Sequence, residues 1–277
     1  MNKQSFLAVL TAAIITGFSG VFIKTMAINP ASQAWLRMGV PTIVTAIWML
    51  STGTPFLRGN WKKMVLTSVL CTVRILLFFA AFTNTSIGNA IIVFYTFPIF
   101  SAIFGYFFLK ENITSKQKIL LFIAFLGIIL AFSDKEFSFK NEDFIGITAA
   151  LLSAIVHAIT VVLFKSESTD YTRTELLFYQ NFVGFLILAP FFQFATATVT
   201  DYSLGISYGL LVGTVGYGLF FYGLKKLKAS TTTALMYMEV VSAVIFGYFF
   251  FNEQLSLFTI LGGALIIGSS FLLGKND

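Results

Sequence analysis

The chain has 277 residues, of which 57% are hydrophobic, 17% aromatic and only 11% charged. Soluble domains average roughly 25% charged residues, so this composition excludes a water-soluble globular fold. The formal net charge is +6. Such an excess in a soluble protein would suggest a nucleic-acid partner, but here the basic residues cluster between long apolar runs, and no nucleic acid is expected.

Ten apolar runs approach the ~20 residues that a helix needs to cross ~30 Å of hydrocarbon. The first follows Lys3 but is long and lacks an obvious small-residue cleavage site before Lys24, so it is not a cleavable signal. The pattern therefore predicts ten transmembrane helices, helix 1 to helix 10. They fall at about 5–23, 32–52, 63–83, 86–109, 116–133, 144–165, 174–193, 204–224, 230–251 and 256–273.

The basic residues lie almost entirely on one side of the predicted membrane. That side carries Lys3, Arg58, Lys62, Lys63, Lys110, Lys116, Lys118, Lys165, Arg173, Lys225, Lys226, Lys228 and Lys275, and the other only Lys24, Lys135 and Lys140. Because basic loops stay cytoplasmic during insertion, both termini are predicted to be cytoplasmic. The short loops fit a multi-pass protein of a prokaryotic inner membrane.

An internal repeat appears at a shift of about 142 residues. FGYFFLKE at 104–111 matches FGYFFFNE at 246–253, and CTVRILLFF at 71–79 matches GTVGYGLFF at 213–221. The repeat predicts two five-helix halves, 1–133 and 144–277, joined by the segment 134–143. Five is an odd number, so the halves run in opposite directions, as in carriers that work by alternating access. The alternative is a duplication that only enlarged a helix bundle.

These marks resemble the drug/metabolite transporter superfamily and, within it, the EamA-type ten-helix carriers. The resemblance covers the whole chain and is best at the helix with a mid-helix proline that ends in glutamate, 98–111, and at its partner, 239–253. Val240 stands where the family often has proline. The resemblance implies a central cavity lined by helices 1, 3, 4, 6, 8 and 9, with helices 5 and 10 peripheral. A weaker likeness to S-adenosylmethionine carriers rests on the arginine before LLFF in helix 3 and on the Tyr-x-Glu-Val-Val-Ser run in helix 9.

Two opposite charges fall near the membrane midplane. Glu239 lies ~14 Å into helix 9 and Arg74 ~16 Å into helix 3, both from the cytoplasmic side. Charges at this depth are costly and mark functional sites. A zwitterionic substrate is one explanation, with Arg74 binding its carboxylate and Glu239 its amine. A fixed internal ion pair is the other. Glu239 is also the proton-coupling candidate.

Aromatic side chains near these charges in sequence are further candidates for substrate contacts, through stacking or attraction of a cation. They are Tyr95, Tyr237, Phe78 and Tyr222. Ordinary packing is the alternative for each. His157 in helix 6 is the only histidine, which excludes a His-rich metal site. It is either a substrate or proton contact or a hydrogen-bonded interhelical residue.

Other polar or small residues have simpler interpretations. Arg37 is predicted near the outer end of helix 2, where snorkelling or a loop carbonyl would satisfy it, and Lys24 and Lys165 are predicted to snorkel. Glycines at 205, 209 and 213 line one face of helix 8 and favour close approach of a neighbouring helix. The contact is either a static packing interface or one that permits sliding.

The sequence thus predicts a secondary transporter or exchanger of small polar metabolites, amino acids or similar zwitterions, rather than an enzyme. It carries no HExxH and no phosphate loop, and no cofactor or metal is expected. The predicted partners are the small-molecule substrate, coupling protons and membrane lipid, for a monomer or homodimer. The alternatives are an S-adenosylmethionine carrier, a lipid or head-group flippase, and a membrane assembly factor without transport activity.

Overall fold

A computed structural model describes residues 3–85, 87–133 and 143–275, and the ten predicted helices are all present in these ranges. Most of the predicted connecting segment, 134–142, with Lys135 and Lys140, lies outside the described residues. The helices have these bounds: helix 1, Lys3–Gly17 and Ser19–Thr25; helix 2, Pro30–Ser51; helix 3, Trp61–Asn84; helix 4, Ile87–Phe94 and Phe97–Leu109; helix 5, Ser115–Ala131; helix 6, Asp143–Ser166; helix 7, Arg173–Leu188; helix 8, Val199–Tyr208, Gly209–Gly216 and Tyr217–Lys226; helix 9, Ala229–Leu235 and Met238–Phe251; helix 10, Leu257–Lys275.

Eight of these helical stretches are long and apolar enough to cross a membrane. Helix 10 contributes a shorter apolar stretch, Leu257–Leu273. Helix 5 has 17 residues, which span ~25 Å at 1.5 Å per residue, the lower limit for a membrane helix. The all-helical membrane fold predicted from the sequence is confirmed.

The outside of the bundle is covered by large apolar side chains. Phe107, Phe108, Phe144 and Phe249 are each about 70% exposed (69%, 74%, 71% and 71%). A continuous apolar surface of this kind would drive association in water, whereas in a bilayer it faces hydrocarbon. The chain is therefore a multi-pass membrane protein.

Helix contacts follow the same plan in both halves. Helix 1 packs against helices 8 and 9, and helix 6 packs in the same way against helices 3 and 4. Helix 2 lies on helix 7, and helix 5 lies on helix 10 at the periphery. Helices 1, 3, 4, 6, 8 and 9 thus surround the centre of the bundle.

Helix 8 begins five residues earlier than predicted, at Val199. The reason is a capping box, in which the Thr198 hydroxyl accepts from the Asp201 backbone N–H and the Asp201 carboxylate accepts from the Thr198 N–H. Asp201 also accepts from the Ala27 N–H at 2.8 Å, which fastens helix 8 to the turn between helices 1 and 2.

The glycine face of helix 8 packs directly on helix 2. A Cβ added at Gly213 would lie 2.8 Å from the Arg37 carbonyl oxygen, and one at Gly209 would lie 2.5 Å from the Val40 Cβ. The segment Gly209–Gly216 is wound as a π-helix, with the Thr214 hydroxyl donating to the Gly209 carbonyl at 2.9 Å. The glycines therefore bring helix 2 and its Arg37 close against helix 8.

The repeated motif closes helices 4 and 9 in the same way. Helix 4 ends with Lys110 in the left-handed conformation, and the Glu111 N–H donates back to the Gly105 carbonyl at 3.1 Å. Asn252 and Glu253 repeat this geometry on Gly247. In the first half, the returning Glu111 carboxylate accepts from the Ala229 N–H at 2.7 Å and so caps the start of helix 9.

We expect Glu111→Ala to destabilise the bundle by about 1–2 kcal/mol, because it leaves buried N–H groups at the start of helix 9 without an acceptor. The repeat supplies the control. Glu253 forms an exposed ion pair with Lys24, a type of contact worth ~0–1 kcal/mol, so Glu253→Ala should have a smaller effect. Thermal unfolding of both variants in detergent measures the difference, and equal losses of stability would contradict the capping role.

Helices 5 and 10 touch backbone to backbone. A Cβ added at Gly262 would lie 2.3 Å from the Gly127 carbonyl oxygen and 2.5 Å from the Ala131 nitrogen, so the helices would have to separate. Overpacking costs about 1–3 kcal/mol, and Gly262→Ala should lower the melting temperature by roughly 3–8 °C. At the next residue, Gly263, an added Cβ meets nothing within 4 Å. Gly263→Ala is the matched control and should not lower the melting temperature.

Candidate substrate-binding site

Glu239 lies where helix 9 is interrupted. Met236 and Tyr237 separate the two helical segments, and the N–H groups of Met236, Tyr237 and Glu239 donate to carbonyls three residues back instead of four. This tight turn places Glu239 in the first turn of the segment Met238–Phe251. The partial positive charge at a helix N-terminus favours a carboxylate there.

Helix 4 is interrupted at the corresponding point. Tyr95 and Thr96 separate its two segments, and Pro98 stands in the first turn of the second. Helix 9 is interrupted although it has Val240, and not proline, at the position equivalent to Pro98. The three-residue turn is enough to interrupt the helix. The two breaks bring the Tyr95 and Tyr237 rings within 6.3 Å of each other.

Arg74 lies in the middle of helix 3, and its side chain is half-buried. Its charge acts on both Glu239 and His157, so the three groups share one region of the bundle. Arg74 and Glu239 do not form an ion pair. The three ion pairs within the described residues are Lys24–Glu253, Arg58–Glu175 and Lys63–Glu167.

His157 faces the same region from helix 6. Its ring lies 4.5 Å from the Phe97 ring and 5.9 Å from the Phe94 ring, between centroids. Phe78 packs on Phe94 at 4.7 Å and so belongs to the same aromatic group. The His157 Nδ1 is buried and has no hydrogen-bond partner among the described residues. Helix 6 thus places the His157 imidazole, whose Nδ1 has no hydrogen-bond partner among the described residues, in the region of Arg74 and Glu239.

Arg37 differs from its prediction, because its side chain does not snorkel to the outer surface. It is only 8% exposed, and the guanidinium carbon lies 4.8 Å from the centre of the Tyr217 ring and 5.9 Å from that of Tyr208. The close packing of helices 2 and 8 encloses it. Its charge acts on Glu239 and His157, as that of Arg74 does.

Tyr222 lies apart from this region. Its hydroxyl accepts from the Lys226 ammonium at 3.0 Å and donates to Gln4 at 3.4 Å, near the basic end of the bundle. The structure therefore gathers six of the seven candidate residues and leaves Tyr222 outside. We call the gathered set the midplane cluster: Arg37, Arg74, Tyr95, His157, Tyr208, Tyr217, Tyr237 and Glu239, with Phe78, Phe94 and Phe97 beside it.

Three members of the midplane cluster were not among the predicted site residues. Arg37 carries a signal that sequence can show, namely a charge inside an apolar helix. Tyr208 and Tyr217 carry no such signal, since tyrosine is common in membrane helices. The Thr16 hydroxyl also lies beside the Glu239 carboxylate, where helix 1 packs on helix 9. Within the described ranges, no group of three or more His, Cys, Asp or Glu side chains is placed to hold a metal ion.

Comparison with known proteins identifies the family. Residues 4–133 and 144–275 each match the model of the EamA-like transporter family. The chain belongs to this family. The resemblance inferred from the sequence is therefore confirmed, and so is the prediction of a transporter that moves a small molecule rather than an enzyme.

Several transporters are similar to this protein over most of its chain. An uncharacterized transporter of Archaeoglobus fulgidus is 24% identical over 94% of this chain and 92% of its own length. The pseudopaline exporter CntI of Pseudomonas aeruginosa is 23% identical over 99% and 97%. The S-adenosylmethionine uptake transporter of Rickettsia conorii is 26% identical over 79% and 76%.

A solved crystal structure has the same fold. It superposes with a TM-score of 0.85, covers 100% of both chains and is 17% identical in sequence. At this identity the similarity concerns the fold alone. The relatives include both an uptake carrier and an exporter, so similarity to them does not define the substrate of this protein or its direction of transport.

Proposed function

We propose that this protein is a secondary transporter or exchanger of amino-acid-like zwitterions. The observation that supports the proposal most directly is the separation of Arg74 and Glu239, which share the midplane cluster without forming an ion pair. Arg74 offers a planar fork to a substrate carboxylate, and Glu239 accepts a hydrogen bond from the substrate amine. Tyr95, Tyr237, Phe78 and His157 provide the aromatic and polar surroundings.

Alternating access is the mechanism that we propose, with the two halves as the moving units. All three ion pairs among the described residues join one half to the other. Lys24–Glu253 lies at one end of the bundle, and Arg58–Glu175 and Lys63–Glu167 lie at the basic end. Breaking the contacts at one end while keeping those at the other would open the midplane cluster to one side at a time.

The basic end is held by a compact network. The Arg58 guanidinium donates to both carboxylate oxygens of Glu175, at 2.5 and 2.7 Å, and the Tyr171 hydroxyl donates to the Arg58 carbonyl at 2.5 Å. Hydrogen bonding to Glu175 raises the pKa of Arg58 above its ordinary value. Arg58 therefore stays charged at any physiological pH, and deprotonation of this residue does not open the basic end.

A lipid flippase would need a path for a head group from the membrane to the central charges. A crevice of about 350 Å³ does lie between helices 2, 7 and 8, with Trp48, Arg173 and Val215 among its lining residues. None of its lining residues belongs to the midplane cluster. This crevice therefore does not supply such a path to the midplane cluster.

Uptake by purified protein in liposomes tests the proposal. Liposomes preloaded with unlabelled amino acids should accumulate the labelled compound by exchange, at a rate well above that of protein-free liposomes. The panel includes S-adenosylmethionine, which is itself an amino-acid derivative, and a fluorescent phospholipid. Scrambling of the phospholipid alone would favour a flippase, and no flux of any compound would favour an assembly factor.

A further inference from the structure

Arg37 is a buried cation without an ion-pair partner among the described residues. It is more than nine-tenths buried, and none of its guanidinium nitrogens donates a hydrogen bond to a described protein atom. Its guanidinium lies over the rings of Tyr217 and Tyr208, which attract a cation but carry no net charge. A guanidinium has five donors in a planar fork, which match a carboxylate.

The midplane cluster therefore has an excess of positive charge. Arg37 and Arg74 are permanently charged, and Glu239 is the only carboxylate whose charge acts on them there. With Glu239 ionised and His157 neutral, the excess is one positive charge, counted as two arginines minus one glutamate. Protonation of Glu239 or of His157 increases it further. No protonation state of these two groups makes the cluster neutral or negative.

We infer that the substrate carries a carboxylate in excess of its cationic groups, and that Arg37 binds this second carboxylate beside Tyr208 and Tyr217. This inference rests on the proposed transport function and specifies its substrate class. An acidic amino acid or a related dicarboxylate would satisfy Arg74 and Arg37 together, and its amine, where present, would reach Glu239. A metabolite with a net positive charge, such as a sulfonium compound, would leave one guanidinium unpaired and add a further cation to the cluster.

Matched pairs of compounds that differ by one charge test the inference. Glutamate is compared with glutamine, and succinate with its monoamide, by uptake into liposomes and by the rise in melting temperature that each compound produces in detergent. We expect the wild-type protein to prefer the acidic member of each pair by about tenfold or more. We expect Arg37→Gln to bring the preference to within about twofold, with uptake of the neutral member retained.

Lys62→Gln is the matched control. It removes one exposed basic charge at the start of helix 3, outside the midplane cluster, and should keep the wild-type preference. If Arg37→Gln does not fold, Arg37→Lys replaces it, because lysine keeps the charge but lacks the planar fork. The comparison of the matched compounds with the wild-type protein needs neither variant. A wild type without preference for the acidic members, or an Arg37→Gln variant that keeps the preference, would overturn the inference. Transport of amino acids without that preference refutes the inference alone, whereas neither transport nor stabilisation by any compound refutes the proposed function as well.

Discussion

Arg74→Ala is expected to reduce amino-acid exchange by about 100-fold or more. Removing one partner of a buried, hydrogen-bonded charge pair costs about 2–5 kcal/mol, and here the partner left behind is the substrate carboxylate. Arg74→Lys keeps the charge but loses the two parallel hydrogen bonds, and its exchange rate should fall about tenfold. Initial rates of labelled substrate exchange in liposomes, at matched protein content, measure both effects.

The same assay separates binding from folding. Lys62→Ala removes an exposed cation from the start of helix 3 and should leave the exchange rate unchanged. The Arg74 variants should elute as single species in detergent, since Arg74 has no ion-pair partner among the described residues whose loss would unbalance the bundle. Unchanged exchange in both Arg74→Ala and Glu239→Ala would show that the midplane cluster is not the substrate site.

The helices could be predicted because the bilayer imposes the same two physical requirements on each of them. A segment that crosses hydrocarbon must satisfy its backbone internally and expose apolar side chains, and both requirements are visible in local sequence. The bounds of helices 2, 6 and 9 agree with prediction to within about two residues. Helix 8 was misjudged by five residues because Thr198 and Asp201 start it with polar side chains, which hydropathy counts against a membrane helix.

The interruption of helix 9 shows what local sequence does not contain. The segment around Met236 and Tyr237 has neither proline nor glycine, and its pattern predicts a continuous helix. The turn there depends on packing, since helix 1 approaches so closely that a Cβ at Gly17 would lie 2.9 Å from the Glu239 carbonyl oxygen. Contacts between distant helices decide such features, and a single sequence does not record them.

Arg37 and Tyr222 illustrate the same point for the site. The depth of Arg37 is predicted by counting residues along one helix, and Tyr222 is a candidate because it lies near the charges in sequence. Neither criterion gives the direction in which a side chain points. Helix 8 covers Arg37 because its glycines allow close approach, and the same helix directs Tyr222 towards Gln4 and Lys226. Depth can be predicted from one helix, whereas enclosure requires the helices around it.

The structure gives a physical reason for the glutamate that ends the FGYFF motif in the first half. In the sequence, the FGYFF motif marks the duplication and lies in the segments that carry the family resemblance. Glu111 now has a defined role, because its carboxylate reaches across to the other half and caps helix 9. The glycine of the motif leaves room for the returning side chain, since a Cβ at Gly105 would lie 2.9 Å from a Glu111 carboxylate oxygen. The capping role belongs to the first copy of the motif, because Glu253 in the second copy pairs with Lys24 instead.

Glu239→Gln is the second variant for which we expect a large effect. Glutamine keeps the size and a hydrogen-bond acceptor of Glu239 but cannot carry a proton. The variant should lose uptake driven by an imposed pH difference by about 100-fold, because Glu239 no longer takes up and releases a proton. Substrate exchange should fall about tenfold, because the amide still accepts a hydrogen bond from the substrate amine but lacks the charge that pairs with it. Lys62→Gln, which changes an exposed charge outside the midplane cluster and outside the ion pairs between the halves, is the control and should retain both activities. Exchange at the wild-type rate together with loss of pH-driven uptake would instead limit Glu239 to proton transfer, because exchange needs binding on both sides but no net proton movement.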